Sequence, residues 1–236
     1  MSLALAIDTA TQTSSIALCH TMPFAPIAEQ TWQSGLNHTQ TVTIAIQTLL
    51  KLAQLTISDL NLVVVSQGPG SFNGLRVGLS VAKGIALARK LPILPIPTLD
   101  SVAFGVSMCR ARSTRLIAIA QAGRGRVVAQ SYDAVEQGWQ SRGDLQIAPP
   151  EAALRYMKGT EGETLVAGEI DAATEEAIAI LQQEGSAVRA LGELHRTRRA
   201  SVLCEMAVQH QLAGRPLPEP ASIVPIYLHQ PGVPHP

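Results

Sequence analysis

The chain opens with short apolar blocks separated by polar turns. Residues 3–9 are apolar up to an Asp-Thr end and predict a buried strand. Residues 13–19 and 27–32 predict two more strands, and the tight turns between them predict an antiparallel meander. The period then changes to that of a helix over residues 38–55. With Val42 at zero, Ala45, Ile46, Leu49, Leu50, Leu52 and Ala53 fall within an arc of about 160°. Ile44 and Leu55 fall on the far side, so this helix is expected to face two neighbours, with Asn37 at its N-cap. Residues 62–65 form an unbroken Leu-Val-Val-Val run typical of a central strand. A long helical pattern runs from the glycines at 68–70 to Lys90. Residues 92–96 predict a strand, with Pro95 and Pro97 placing it at a sheet edge or themselves near its ends, because proline cannot donate to a ladder. Residues 99–110 predict a helix.

A second set of strands and helices follows. Strands are predicted at 115–120, 126–132, 138–140, 164–167 and 187–190. Helices are predicted at 150–158, with proline in the first turn, and at 171–184, starting at Asp171. A last helix at 198–212 is closed by Gly214 and Pro216, and a proline-rich extended tail covers 218–236. No short repeat is present, but both halves place strands first and helices after.

Composition narrows the function. Of 236 residues, 46% are hydrophobic, which excludes a disordered chain. Charged residues are only 15%, net charge is zero and aromatics are 3%, which argues against a protein that grips nucleic acid alone. Low charge also favours association, so a protein partner is left open. Cys19, Cys109 and Cys204 are odd in number and far apart, against a disulfide framework or thiolate zinc site. Asp8 interrupts the first apolar block, against a signal peptide, and no run reaches the roughly 18 apolar residues of a membrane span. A cytoplasmic location is expected.

Two segments could carry chemistry. In AIDTATQTSSIAL, residues 6–18, a carboxylate ends a strand and a Thr-rich turn follows. Asp8, Thr9 and Thr11 there suit a phosphate- or cation-contacting loop, or a polar turn with no ligand. In SQGPGSFNGLRVGLSVAKGIALARK, residues 66–90, no P-loop or dinucleotide fingerprint is present. Gly70, Gly74 and Gly78 recur every fourth residue, and Ala82 and Ala86 continue the series. Each interior glycine costs a helix about 1 kcal/mol relative to alanine. Close approach of a neighbouring helix or sheet would offset that cost. The amides after Gly70 could instead bind an anion, and Arg76 and Lys83 could pair with a partner's acids. The histidines offer no pair four apart, and a lone His38 at a helix start reads as a cap or contact residue. No Gly-x-Ser-x-Gly elbow occurs, and the paired acids Glu175 and Glu176 fit a solvated helix face.

Taken together, AIDTATQTSSIAL, NHTQ, GPGSFNGLRVGLSVAKGIALA and PILPIPTLDSVAF, within roughly the first 105 residues, resemble the TsaB (YeaZ) family, as does PIYLHQ at 225–230. Asn73 stands where the family commonly has threonine. The second half departs further: where the family often reads Asp-Ala-Arg-x-Gly-Glu-Val, this chain has Gln121-Ala122-Gly123-Arg124-Gly125-Arg126-Val127, without the acids.

The resemblance implies an α/β actin-like ATPase fold (ASKHA, ribonuclease-H-like), with two lobes of mixed sheets flanked by helices. It divides the chain at 1–105 and 106–236, with the helix at about 196–214 packing back on the first lobe. It implies a non-catalytic scaffold that pairs with the catalytic paralogue TsaD and works with the ATPase TsaE. TsaD transfers a threonylcarbamoyl group to N6 of the adenosine beside the anticodon in tRNA. This chain would meet tRNA only through the complex, and would form a homodimer when alone. The metal-binding histidine pair of TsaD lies where residues 96–104 here carry Thr98 and Asp100 and no histidine. No cofactor is then required by this chain, with ATP and magnesium placed at the partner or the complex interface.

Family pairing uses the first two helices, which implicates His38, Thr41, Ala45, Ser71, Phe72, Gly74, Leu75, Arg76, Gly78 and Leu79. Gly74→Leu is expected to abolish pairing while leaving some fold. Asp8, Thr9 and Thr11 become a vestigial nucleotide loop. A stand-alone nucleotide enzyme of the actin-like or sugar-kinase class is the alternative. It needs a second, Asp-Gly-rich phosphate loop where Gln121-Ala122-Gly123 stands. A peptidase finds no nucleophile–base pair.

Overall fold

The computed structural model describes residues 2–34, 38–107, 115–136, 138–160 and 162–227, leaving aside the side chains of 38–40. The Asn37 cap, Cys109, the last part of PIYLHQ and the rest of the tail therefore lie outside the described residues. The first half runs β1 (Leu3–Asp8), β2 (Thr13–Thr21), β3 (Phe24–Gln33), α1 (His38–Leu52), β4 (Leu62–Gly68), α2 (Phe72–Arg89), β5 (Ile93–Pro97) and α3 (Thr98–Gly105). Its strands form one sheet in the order β3-β2-β1-β4-β5. β1 pairs antiparallel with β2, and parallel with β4. The proline-bearing β5 sits at the edge, where its missing donors leave no ladder bond unmade.

The second half repeats this plan: β6 (Arg115–Gln121), β7 (Val127–Val135), β8 (Gly138–Ala148), α4 (Pro150–Met157), β9 (Thr164–Gly168), α5 (Ala172–Gln183), β10 (Val188–Ala190), α6 (Glu193–Arg196) and α7 (Ala200–Leu212). The sheet order is β10-β9-β6-β7-β8, the same meander plus two parallel strands. β8 is 11 residues long rather than three. Its middle is polar and exposed, so the apolar alternation that announces a strand is missing.

Alternation sorts the first sheet into two faces. Leu3, Leu5 and Ile7 of β1 pack with Val42, Ile46 and Leu49 of α1 and with Leu79, Ala82 and Ala86 of α2. Ala4 and Ala6 point the other way, with Ala17 and Cys19, and meet Ala200, Cys204 and Ala207 of α7. Small residues on both surfaces let this helix lie close to the sheet. In the second half α3 covers one face, through Leu99, Val102 and Ala103, and α4 and α5 cover the other. Each half thus lends a helix: α3 precedes the second sheet in sequence and packs on it, while α7 follows that sheet and packs on the first. Among the described residues no helix is long and apolar enough to cross a membrane.

Candidate functional site

The glycine spacing of α2 has a direct cause. A Cβ at Gly70 would lie 2.1 Å from the Ala10 carbonyl oxygen, one at Gly74 would lie 2.0 Å from that of Thr9, and one at Gly78 would lie 2.2 Å from Thr9 Oγ1. The helix rests on the β1–β2 turn of its own lobe. Hydrogen bonds fix the contact: Thr9 Oγ1 donates to the Gly74 carbonyl (2.7 Å) and the Ser71 amide to that of Ala10 (2.7 Å). Ser71 also caps α2, accepting from the Gly74 amide at 3.3 Å.

This corrects half of the expected interface set. Ala45, Gly74, Leu75, Gly78 and Leu79 are buried in the lobe's own core, because the small-residue stripe faces inward. They supply no outer surface, and a leucine at 74 would strike the Thr9 backbone rather than a partner. Phe72 and Arg76 are exposed, and Thr41 and Ser71 are half-buried. The His38 side chain lies outside the described residues.

The outer face of α2 carries Asn73, Ser80, Gly84 and Leu87, all exposed. A Cβ at Gly84 would meet nothing within 4 Å. Leu87 is 67% exposed, and on α1 Ile44 and Leu52 are 60% and 73% exposed. Periodicity places Leu52 on the buried arc, but its side chain faces outward. At the start of α2, the Phe72 ring stands 5.0 Å from that of Tyr227, and the Arg76 guanidinium lies 4.3 Å from the Phe72 centroid. The chain reaches this point as a strap: the Ile226 amide donates to the Gln67 carbonyl (2.9 Å), and Gln67 Nε2 to that of Val224 (2.8 Å). The PIYLHQ motif marked this segment in sequence, but not its contact with Phe72.

The β1–β2 turn also borders a cleft of about 400 Å³ between the two halves, lined by Thr11, Gln12, Trp32, Gln121, Glu169 and Arg196. Here the residues of the expected nucleotide loop are already engaged. The Asp8 carboxylate is buried and ion-paired with Arg198, whose other terminal nitrogen donates to the Thr98 carbonyl at 3.1 Å. Thr9 is spent on α2, and Thr11 Oγ1 donates to the Thr13 carbonyl at 3.0 Å. Asp100 accepts from the Tyr132 hydroxyl at 2.8 Å; burial, with the Asp100 charge beside it, pushes that phenol far above its usual range. Among the described residues, no group of three or more His, Cys, Asp or Glu could hold a metal ion.

The family model for TsaD, tRNA N6-adenosine threonylcarbamoyltransferase, matches residues 33–213. The chain is 30% identical over 175 residues to the tRNA threonylcarbamoyladenosine biosynthesis protein TsaB of Escherichia coli (strain K12), covering 70% of each. It belongs to the TsaB (YeaZ) family. The TsaB of Bacillus subtilis (strain 168) is 35% identical over 99 residues, 42% of each chain. The fold agrees: the structure of YeaZ from Pseudomonas aeruginosa superposes with a TM-score of 0.72 at 22% identity, over 97% of this chain and 100% of that one. A second Pseudomonas aeruginosa structure, described as similar to peptidase YEAZ, gives 0.77 at 22% identity and the same coverage. This TsaB-family protein is therefore a member of the tRNA threonylcarbamoyladenosine pathway, with the two-lobed actin-like ATPase fold. Asp8 and the glycine helix were found from sequence. Arg198 and Glu169 were not, since neither sits in a motif.

Proposed function

We propose that this TsaB-family protein is a non-catalytic scaffold that activates threonylcarbamoyl transfer to tRNA by pairing with a TsaD-type catalytic subunit through the outer face of α1 and α2. The observation that carries this reading is Gly84. An interior helix glycine costs about 1 kcal/mol against alanine, and among the described residues nothing comes within 4 Å of a Cβ at Gly84 to offset that. Close approach by a second protein gives the missing reason. Exposed Leu87, Ile44 and Leu52 supply apolar area on the same two helices, and the Phe72–Arg76–Tyr227 group supplies an aromatic and guanidinium anchor of the kind that dominates interfaces.

The chain itself takes no nucleotide in this reading, because Asp8 is neutralised by Arg198 rather than left to hold a cation. ATP and magnesium act at the partner or in the complex with TsaE, and tRNA is met through the complex, in keeping with zero net charge. Alone, the chain pairs with a second copy through the same face.

The test is co-purification with the TsaD-type subunit, together with a transfer assay. The isolated chain should show no transfer and should restore it when added to that subunit. Gly84→Leu and Phe72→Ala should keep the circular dichroism spectrum and lose pairing. Folded variants that still pair and activate like wild type would refute the interface, and tight ATP-magnesium binding by the isolated chain in calorimetry would favour a stand-alone nucleotide enzyme.

A further inference from the structure

The cleft between the lobes contains a carboxylate with an unusual pair of donors. Glu169 Oε1 accepts from the backbone amide of Gln12 at 3.0 Å, and Oε2 accepts from the backbone amide of Gln121 at 2.8 Å. Gln12 belongs to the β1–β2 turn of the first lobe. Gln121 ends β6, at the equivalent hairpin of the second. One anion is thus shared between equivalent turns of two sheets with the same topology. Two backbone amides converging on one oxyanion is how proteins hold phosphate and carboxylate ligands.

The position of Glu169 is built rather than incidental. Gly168 has φ +107°, and a Cβ there would lie 2.0 Å from the Ile119 carbonyl oxygen. Only glycine lets β9 approach β6 so closely at that point. The Glu169 amide then donates to the same Ile119 carbonyl at 3.1 Å, and Gln121 Nε2 donates back to the Glu169 carbonyl at 3.3 Å. The backbone is held on both sides, which aims the side chain across the cleft.

We infer that Glu169 is an internal ligand of an oxyanion site formed jointly by the two lobes, and that it holds the cleft closed without any bound small molecule. Removing the carboxylate would leave both amides facing the cleft without an acceptor, and a free oxyanion should enter between them. This inference does not rest on the proposed partner.

Hydrogen exchange at single-residue resolution tests it, with inorganic phosphate as the probe. In wild type the Gln12 and Gln121 amides should both be protected, and phosphate should not alter them. In Glu169→Ala both should exchange at least about tenfold faster, the loss of one or more charge-assisted bonds, and the melting temperature should fall by roughly 5 °C. Phosphate should restore protection at both amides together. Glu169→Gln, which keeps the shape but not the charge, should fall between and respond more weakly. Four results overturn the inference: unprotected Gln12 in wild type, which needs no variant to fold; faster exchange at Gln121 alone in the variant; phosphate protecting wild type equally; or no phosphate effect on a folded Glu169→Ala protein.

Discussion

Two glycines ten residues apart on α2 should respond to alanine in opposite ways. Both lie within α2, Gly84 in its interior and Gly74 in its first turn, so substitution by alanine gains up to about 1 kcal/mol from propensity alone. At Gly84 the new methyl meets open space, and the gain should appear undiminished. For a chain of this length that is a rise of about 2–4 °C in melting temperature. At Gly74 the methyl would sit 2.0 Å from the Thr9 carbonyl oxygen, a backbone atom that cannot rotate away. The helix must then lift off the β1–β2 turn, an overpacking cost of about 1–3 kcal/mol. Lifting also strains the 2.7 Å bond from Thr9 Oγ1 to the Gly74 carbonyl, which contributes about 1 kcal/mol more. The net loss at 74 is about 1–3 kcal/mol, against a gain of about 1 kcal/mol at 84. The assay is thermal and urea unfolding of the isolated chain at several protein concentrations, since self-association through the outer face would itself stabilise the wild type. A Gly84→Ala protein no more stable than wild type at low concentration, or a Gly74→Ala protein as stable as wild type, would refute the reasoning.

Other perturbations follow from the same contacts. Arg198→Ala leaves the Asp8 carboxylate buried without its cation and should cost about 3–5 kcal/mol, read by urea unfolding. The double change Asp8→Leu with Arg198→Met should recover most of that, and a single change without effect would remove the pair from the account. Asp171 caps α5 by accepting from the Thr174 amide at 2.9 Å and its hydroxyl at 2.7 Å, so Asp171→Ala should cost about 1 kcal/mol. Burial pushes that carboxyl up, but the Thr174 bonds outweigh it and hold it below the ordinary value. Its contribution is therefore complete above the ordinary carboxylate range and lost as pH falls through the depressed value. Stability of Asp171→Asn, measured by urea midpoints from neutral pH downward, should fall less steeply below about pH 4.

The strands of both sheets were legible wherever apolar residues alternate or run unbroken, as in β1 and β4. The extent was illegible in β8, an edge strand read only at 138–140, because the residues beyond are mostly polar and exposed. The α2 glycines announced a close approach, but the four-residue spacing is the same whether the neighbour is the chain's own turn or another protein. Gly84, the outward one, lies off the Gly70–Gly74–Gly78 series and gave no signal. Periodicity likewise put Leu52 with the core, because a helical wheel does not distinguish apolar residues that meet a sheet from those that face outward. The cleft was least legible. Arg198 reaches Asp8 across 190 positions and Glu169 reaches Gln12 across 157, and no local pattern encodes such a meeting.

The exchange of α3 and α7 between the halves makes the two sheets inseparable. A cut after residue 105 would leave the first fragment with an alanine-faced sheet, open where α7 belongs, and with the apolar face of α3 stripped of the second sheet it covers. The second fragment would keep α7 but lose the surface it covers. Neither piece could be made alone as a soluble lobe, and mixing the two should restore what each lacks. Intact, the chain should melt in one cooperative step, since neither sheet can lose its borrowed helix without the other half giving way.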